Sequence, residues 1–220
     1  FIKEEGNSVL KDRIDAGKRL AKLLSHYKKD EKAVIFAIPR GGVVVGGALA
    51  QELSLPLDVV VTKKVGAPFN EEFAVGAVAP DGTLFVYEEA VNRYGIKRSY
   101  LEREAKLKLE KIRENLIKFR GKDSYDSLEG KKAIIVDDGI ATGFTVRAAV
   151  EFLKKLNPER IVVAVPVIAP DSVEDFRRIC DELYFIYSKE PFYAVGQFYE
   201  DFNQVQDEEV ISILKNTEKR

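Results

Sequence analysis

The 220-residue sequence contains one cysteine, one histidine, no methionine and no tryptophan. A single thiol, Cys180, excludes an intrachain disulfide framework and any multi-cysteine zinc or cluster site, and it fits a reducing cytoplasm. No apolar run approaches the ~20 residues of a membrane span, so no membrane partner is expected. Thirty-five basic residues against 36 acidic ones leave no global field of the kind that marks nucleic-acid binders, and no nucleic-acid partner is expected either. The chain opens FIKEEGNS, without an initiator Met or a basic-then-apolar signal pattern, as expected of a cytoplasmic chain that lacks its first residue or residues.

What is present suits one sizeable core. Apolar residues make up 45% of the chain, and a single domain over 1–220 is expected. Leu10, Ile14, Leu20, Leu24 and Tyr27 line one face of a helix running from about Ser8 to Tyr27. Ala33 to Ile38 reads as a strand buried on both faces and stopped by Pro39, and Gly41-Gly42 opens a helix ending near Leu53. Leu57 to Thr62 is a second buried strand. The polar VGAPFNEEF that follows reads as a mobile loop, and Asp81-Gly82 as the turn of a hairpin between 74–79 and 83–87. A charged helix is predicted over 97–120. Beyond it, strands at 133–136, 160–165 and 182–187 alternate with helices at 145–156 and 172–179, a pattern that specifies a parallel sheet covered by helices. A last short helix runs from Asp207 to about Leu214.

The segment AIIVDDGIATGFT, residues 133–145, places two acids and a Gly/Thr loop between a buried strand and a helix start. Unpaired amides at a helix start carry the positive end of the helix dipole, so a phosphate is stabilised there. Thr142 and Thr145 can add hydroxyl donors, and Gly139 and Gly143 let the chain wrap closely. Asp137 and Asp138 would repel a phosphate but accept well from the hydroxyls of a ribose, so the segment favours a sugar phosphate over free phosphate.

Pro39-Arg40-Gly41-Gly42 is a second glycine-rich turn feeding a helix start, and a pyrophosphate fits such a turn, with Arg40 supplying a planar fork. The alternative is a tight turn with Arg40 in solvent. Glycine spacing in GGVVVGG, and the lack of an acid closing LDVVVT, exclude a dinucleotide loop. Lys63 and Lys64 are read as ending the second strand, with Lys64 the better candidate for pyrophosphate contact.

IIVDDGIATGFT resembles the signature for 5-phosphoribosyl 1-pyrophosphate (PRPP) of type I phosphoribosyltransferases, although Gly139 is smaller than the apolar residue often found there. PRGG, VDDGIATG and a C-terminal VG-aromatic-aromatic pattern are similar to an uncharacterised branch of predicted phosphoribosyltransferases, a likeness running from DRIDAGKRLA at residue 12 to FNQVQDEEV at residue 202. The resemblance implies an α/β type I fold: a central parallel sheet flanked by helices, a flexible hairpin, and a small C-terminal hood at about 188–220. A helical stretch at about 88–120 is less typical of the compact type I enzymes and reads as an insertion.

It implies further that Asp137 and Asp138 hold the ribose hydroxyls, that Gly139, Ile140, Ala141, Thr142, Gly143, Phe144 and Thr145 form the 5-phosphate loop, and that Pro39, Arg40, Gly41 and Gly42 with Lys63 and Lys64 take the pyrophosphate. The expected reaction transfers the phosphoribosyl group to a nitrogenous, nucleobase-like acceptor, in nucleotide metabolism. Asp137, Asp138, Arg40 and Lys64 would stabilise its charges, with Mg²⁺ held mostly by substrate. A protein that binds PRPP or nucleotide without turnover is the alternative. Val65 to Phe73 is the natural lid, in which Glu71 and Glu72 are functional or merely solvated acids. Phe198, Tyr199 and Asp201 are candidate acceptor contacts, although most tail aromatics are expected in the core. A homodimer is expected, with 88–120 a lid, a dimer contact or a plain surface helix; Cys180 reads as structural and His26 as uninvolved.

Overall fold

The computed structural model describes residues 9–218. Five strands, β1 (Ala33–Ala37), β2 (Leu57–Val59), β6 (Lys132–Val136), β7 (Arg160–Val167) and β8 (Glu182–Tyr187), form a parallel sheet in the order β2-β1-β6-β7-β8. Three more, β3 (Lys63–Ala67), β4 (Asn70–Val78) and β5 (Leu84–Val86), form a separate antiparallel sheet.

The central strands read as unbroken apolar runs because both faces are covered. Ile35, Ile134 and Val162 face α1 (Arg13–Leu23) and α2 (Gly41–Leu53), where Leu20, Leu24 and Leu49 are fully buried. Phe36, Ile135 and Val163 face the other way, onto Phe152 and Leu153 of α5 (Phe144–Lys154) and Phe176 of α6 (Pro170–Ile179). One residue of register therefore decides which layer a side chain enters.

The antiparallel sheet packs on α3 (Glu88–Arg93) and α4 (Arg98–Arg120) through Val65, Val75, Leu101, Ile112 and Leu116. Arg120 closes α4 on the edge of the main sheet: its guanidinium bonds both oxygens of Asp58 at 2.7 and 3.1 Å and stacks 3.9 Å from the centre of the Tyr125 ring. The last helix, α7 (Asp207–Glu218), lies against α2.

Three expectations are corrected. VGAPFNEEF is no loop: its ends belong to β3 and β4, which pair antiparallel with register shifts at Val65/Gly66 and Gly66/Ala67. Gly66 permits this irregularity, since a β-carbon there would lie 2.2 Å from the Glu71 carbonyl oxygen. Lys63 and Lys64 therefore open β3 rather than close β2, which ends at Val59. The first helix is shorter than its apolar spacing suggested. Ser8 lies outside the described residues, Leu10 bridges to Tyr199 in extended form, and α1 starts only after Asp12 caps it by accepting from the Asp15 amide at 2.8 Å.

Candidate active site

Both glycine-rich loops lie at the carboxyl ends of neighbouring parallel strands, β1 and β6. The Ile38 amide donates to the Val136 carbonyl at 2.9 Å, which carries the pairing to the mouth of each loop. Gly41 and Gly42 begin α2 without a side-chain cap, and α5 likewise begins after Gly143 without one. Each helix start thus leaves its first amides without a side-chain partner at this edge of the sheet. The Pro39–Arg40 peptide is cis.

The two loops touch. A β-carbon on Gly42 would lie 3.0 Å from Asp137 Cα, and one on Gly41 would lie 2.1 Å from Asp138 Oδ2. A side chain at Gly42 would press on the backbone of the acidic segment, and one at Gly41 would push the Asp138 carboxylate and the Arg13 guanidinium aside. Asp137 is half-buried, and its carboxyl is pushed well above the usual range, first by desolvation and then by the charge of Asp138, with Lys64 opposing. The Asp138 amide donates to Asp137 Oδ1 at 2.8 Å.

In the second loop Ile140 is locked down: its amide donates to Val167 and its carbonyl accepts from Ala169, at 2.9 and 2.8 Å. Ser172 Oγ donates to the Ala141 carbonyl at 2.7 Å. Gly143 has φ +79° and sits on the Phe176 ring, a place open to glycine alone. Ala141 and Thr142 stay exposed, with Thr145 half-buried behind them. The Phe144 ring turns inward against Phe85 and Tyr87, pinning the antiparallel sheet to this loop.

Beside the first loop, a polar recess of about 430 Å³ is lined by Arg13, Arg40, Gly41, Thr62, Lys63 and Asp207, among others. Burial depresses the Lys63 ammonium, and the nearby charges of Arg40, Lys108 and Lys111 add to this while Asp207 opposes. Asp207 lies 3.8 Å from Arg40 and 3.0 Å from Lys118. Lys63 is a lysine of the recess wall; Lys64 is exposed, and its charge acts on Asp137. Glu71 and Glu72 are exposed on β4 near the hairpin tip.

The acceptor candidates are rearranged. Tyr199 is 5% exposed, and its hydroxyl donates to the Asp138 carbonyl at 2.6 Å, so it supports the acidic pair and offers no ring face. Burial and Asp138 raise its phenol. Phe198 packs on Phe192, and Asp201 accepts from the Asn203 amide within the tail. The exposed aromatic at the site is Phe202, 37% exposed and stacked on Tyr199.

Arg13 went unnoticed in the sequence. Its Nε lies 3.0 Å from Asp138 Oδ2, its Nη1 donates to the Asn203 carbonyl at 2.7 Å, and its guanidinium stacks 3.9 Å over Phe202. The only signal was its place in the DRIDAGKRLA stretch. Cys180 donates to the Phe176 carbonyl, and burial pushes its thiol up to about 11, which suits an inert packing role.

Residues 7–201 match the family described as Phosphoribosyl transferase domain. Proteins from two Mycobacterium tuberculosis strains, each named "Putative phosphoribosyl transferase", are 36% identical over 203 residues, 92% of this chain; the chain spans 46% of their length. A Thermus thermophilus protein of known crystal structure is 40% identical, with a TM-score of 0.77 over 94% of this chain and 98% of its own. An adenine phosphoribosyltransferase of Marinobacter nauticus is 27% identical over 74% of this chain and 71% of its own length. With the fold, both loops and these relatives in agreement, the chain belongs to the phosphoribosyltransferase family.

Proposed function

We propose that the protein binds PRPP across the two touching loops and transfers its phosphoribosyl group to a nitrogenous acceptor, releasing pyrophosphate. The observation that carries this reading is the direct contact of Gly41 and Gly42 with Asp138 and Asp137, which sets a turn suited to pyrophosphate against the acidic pair that leads into a loop suited to a terminal phosphate.

In the proposed complex the 5-phosphate lies on the amides of residues 141–145 with the Thr142 and Thr145 hydroxyls, and the ribose hydroxyls donate to Asp137 and Asp138. Pyrophosphate lies against the PRGG turn, within reach of Arg40 and Lys63. As the acceptor nitrogen forms its bond to the anomeric carbon, the carbon–oxygen bond breaks and its electron pair leaves with pyrophosphate. Arg40 and Lys63 stabilise that departing charge, while the acidic pair favours the positive charge developing on the ring. The β3–β4 hairpin, whose base carries Lys63, is the element placed to close over the site and exclude water.

Mg²⁺ fits as a companion of the substrate. Asp138 is already paired with Arg13 and Asp137 is half-buried beside it, so this acidic pair would hold the ion only together with the substrate's own oxygens. When bound there it would supply charge neutralisation of the leaving group.

Incubation with PRPP, Mg²⁺ and a mixture of free bases tests the reading directly. Pyrophosphate release that depends on a base supports transfer. Binding without release indicates a PRPP-responsive regulator, and no binding removes the donor site altogether.

A further inference from the structure

We propose that Arg13 is a positioning residue of the donor site, holding the Asp138 carboxylate in place for the ribose and fastening the C-terminal tail to it. This inference rests on the donor-site reading above and adds a residue from outside both loops.

Three observations carry it. The Arg13–Asp138 pair is well shielded, with side-chain exposures of 12% and 18%, so its attraction is screened less than that of a surface pair. It lies directly over the PRGG turn: a β-carbon on Gly41 would come 2.1 Å from Asp138 Oδ2 and 2.7 Å from Arg13 Nε. Two further parts of the guanidinium are engaged, Nη1 by the Asn203 carbonyl and one flat face by Phe202. An arginine can meet a carboxylate, a carbonyl and a ring at once because its donors and its plane are fixed relative to one another; a lysine cannot. One side chain on α1 thereby ties together the acidic pair, the pyrophosphate turn and the tail.

Asp138 is further held from its backbone by the Tyr199 hydroxyl, whose ring stacks on Phe202. Phe202 is accordingly sandwiched into the same assembly from the tail side, and displacing it loosens Arg13 without touching either loop.

The test compares binding of PRPP with Mg²⁺ and of inorganic pyrophosphate with Mg²⁺ to the wild-type chain and to Arg13→Gln, Arg13→Lys and Phe202→Leu, each checked for its melting midpoint. Because Arg13 acts through the ribose-binding carboxylate, Arg13→Gln is expected to weaken PRPP by about 10- to 100-fold, the usual effect of losing a charged hydrogen bond. Pyrophosphate alone, which does not use the Asp138 carboxylate, should lose clearly less, no more than about threefold, even though Arg13 lines the recess. Arg13→Lys should recover part of the loss, and Phe202→Leu, which leaves the ion pair intact, should cost about two- to fivefold for PRPP alone.

Equal losses for both ligands would make Arg13 a direct pyrophosphate contact and overturn the positioning role. Unchanged PRPP binding in Arg13→Gln and Phe202→Leu would overturn it as well; should Arg13→Gln fail to fold, Arg13→Lys and Phe202→Leu decide the matter by the same comparison. A wild-type chain that binds neither ligand sinks the donor-site reading itself, which the variants cannot imitate.

Discussion

Gly42 rests on the backbone of Asp137 so closely that a single added methyl would sit 3.0 Å from Asp137 Cα and 3.0 Å from the Val136 carbonyl oxygen. Both neighbours are main-chain atoms of the central strand and its continuation, and neither can swing aside. Gly42→Ala should therefore lower stability by about 1–3 kcal/mol, the usual cost of overpacking. It should weaken PRPP more than tenfold, because the two loops are forced apart. Thermal melting and calorimetry check the pair of effects, and a variant with wild-type affinity contradicts the shared crevice.

The pH dependence of stability follows from Asp137. Its folded carboxyl titrates above the unfolded value of about 3.9. Between those two values the folded chain keeps a proton that the unfolded chain has released, so this residue's contribution to stability falls as pH rises across the window. Asp137→Asn carries no such loss. Its melting midpoint should exceed that of wild type at about pH 8, with the gap shrinking toward pH 4 while PRPP binding is lost. A constant gap across that range would assign the effect to packing instead.

Gly139 is small because the tail needs the space. A β-carbon there would lie 2.4 Å from Val195 Cγ1 and 2.7 Å from Val167 Cγ2. Gly139→Ala should cost about 1–3 kcal/mol, and Val195→Ala in the same chain should return part of it, the contact with buried Val167 remaining. A double-mutant cycle with no coupling would mean that Val195 does not dock on the loop.

Asp207 occupies Arg40, a cation that the pyrophosphate would use, and also pairs with Lys118, with 30% of its side chain exposed. Exposed pairs of this kind are worth roughly 0.2–1 kcal/mol. Removing the competing carboxylate in Asp207→Asn should tighten inorganic pyrophosphate by up to about fivefold. Weaker binding, measured by calorimetry at fixed salt, would show that Asp207 supports the recess rather than competing for it.

The parts legible from sequence are those in which neighbours along the chain decide the structure. The doubly buried strands announce themselves as apolar runs, and AIIVDDGIATGFT places strand, acids, loop and helix start in one contiguous stretch. Less legible were features that depend on distant contacts. VGAPFNEEF is polar, and its strand character comes from β3–β4 pairing through an irregular register that no alternation reveals. Lys63 and Lys64 were assigned to the wrong strand for the same reason, and which of them faces the recess followed from that. Tyr199 looked available for stacking until the fold buried it under Asp138, 61 residues earlier in the chain. Arg13 is separated from Asp138 by 125 residues, and only the folded arrangement of α1 over the PRGG turn brings them together.

A crystal structure of the protein with PRPP and Mg²⁺ tests the central claim most directly. The account predicts pyrophosphate against residues 39–42 beside Arg40 and Lys63, ribose hydroxyls on Asp137 and Asp138, and the 5-phosphate on the amides of 141–145. Density for the ligand elsewhere, such as the groove between α1, α2 and α7, with both loops empty, would contradict it.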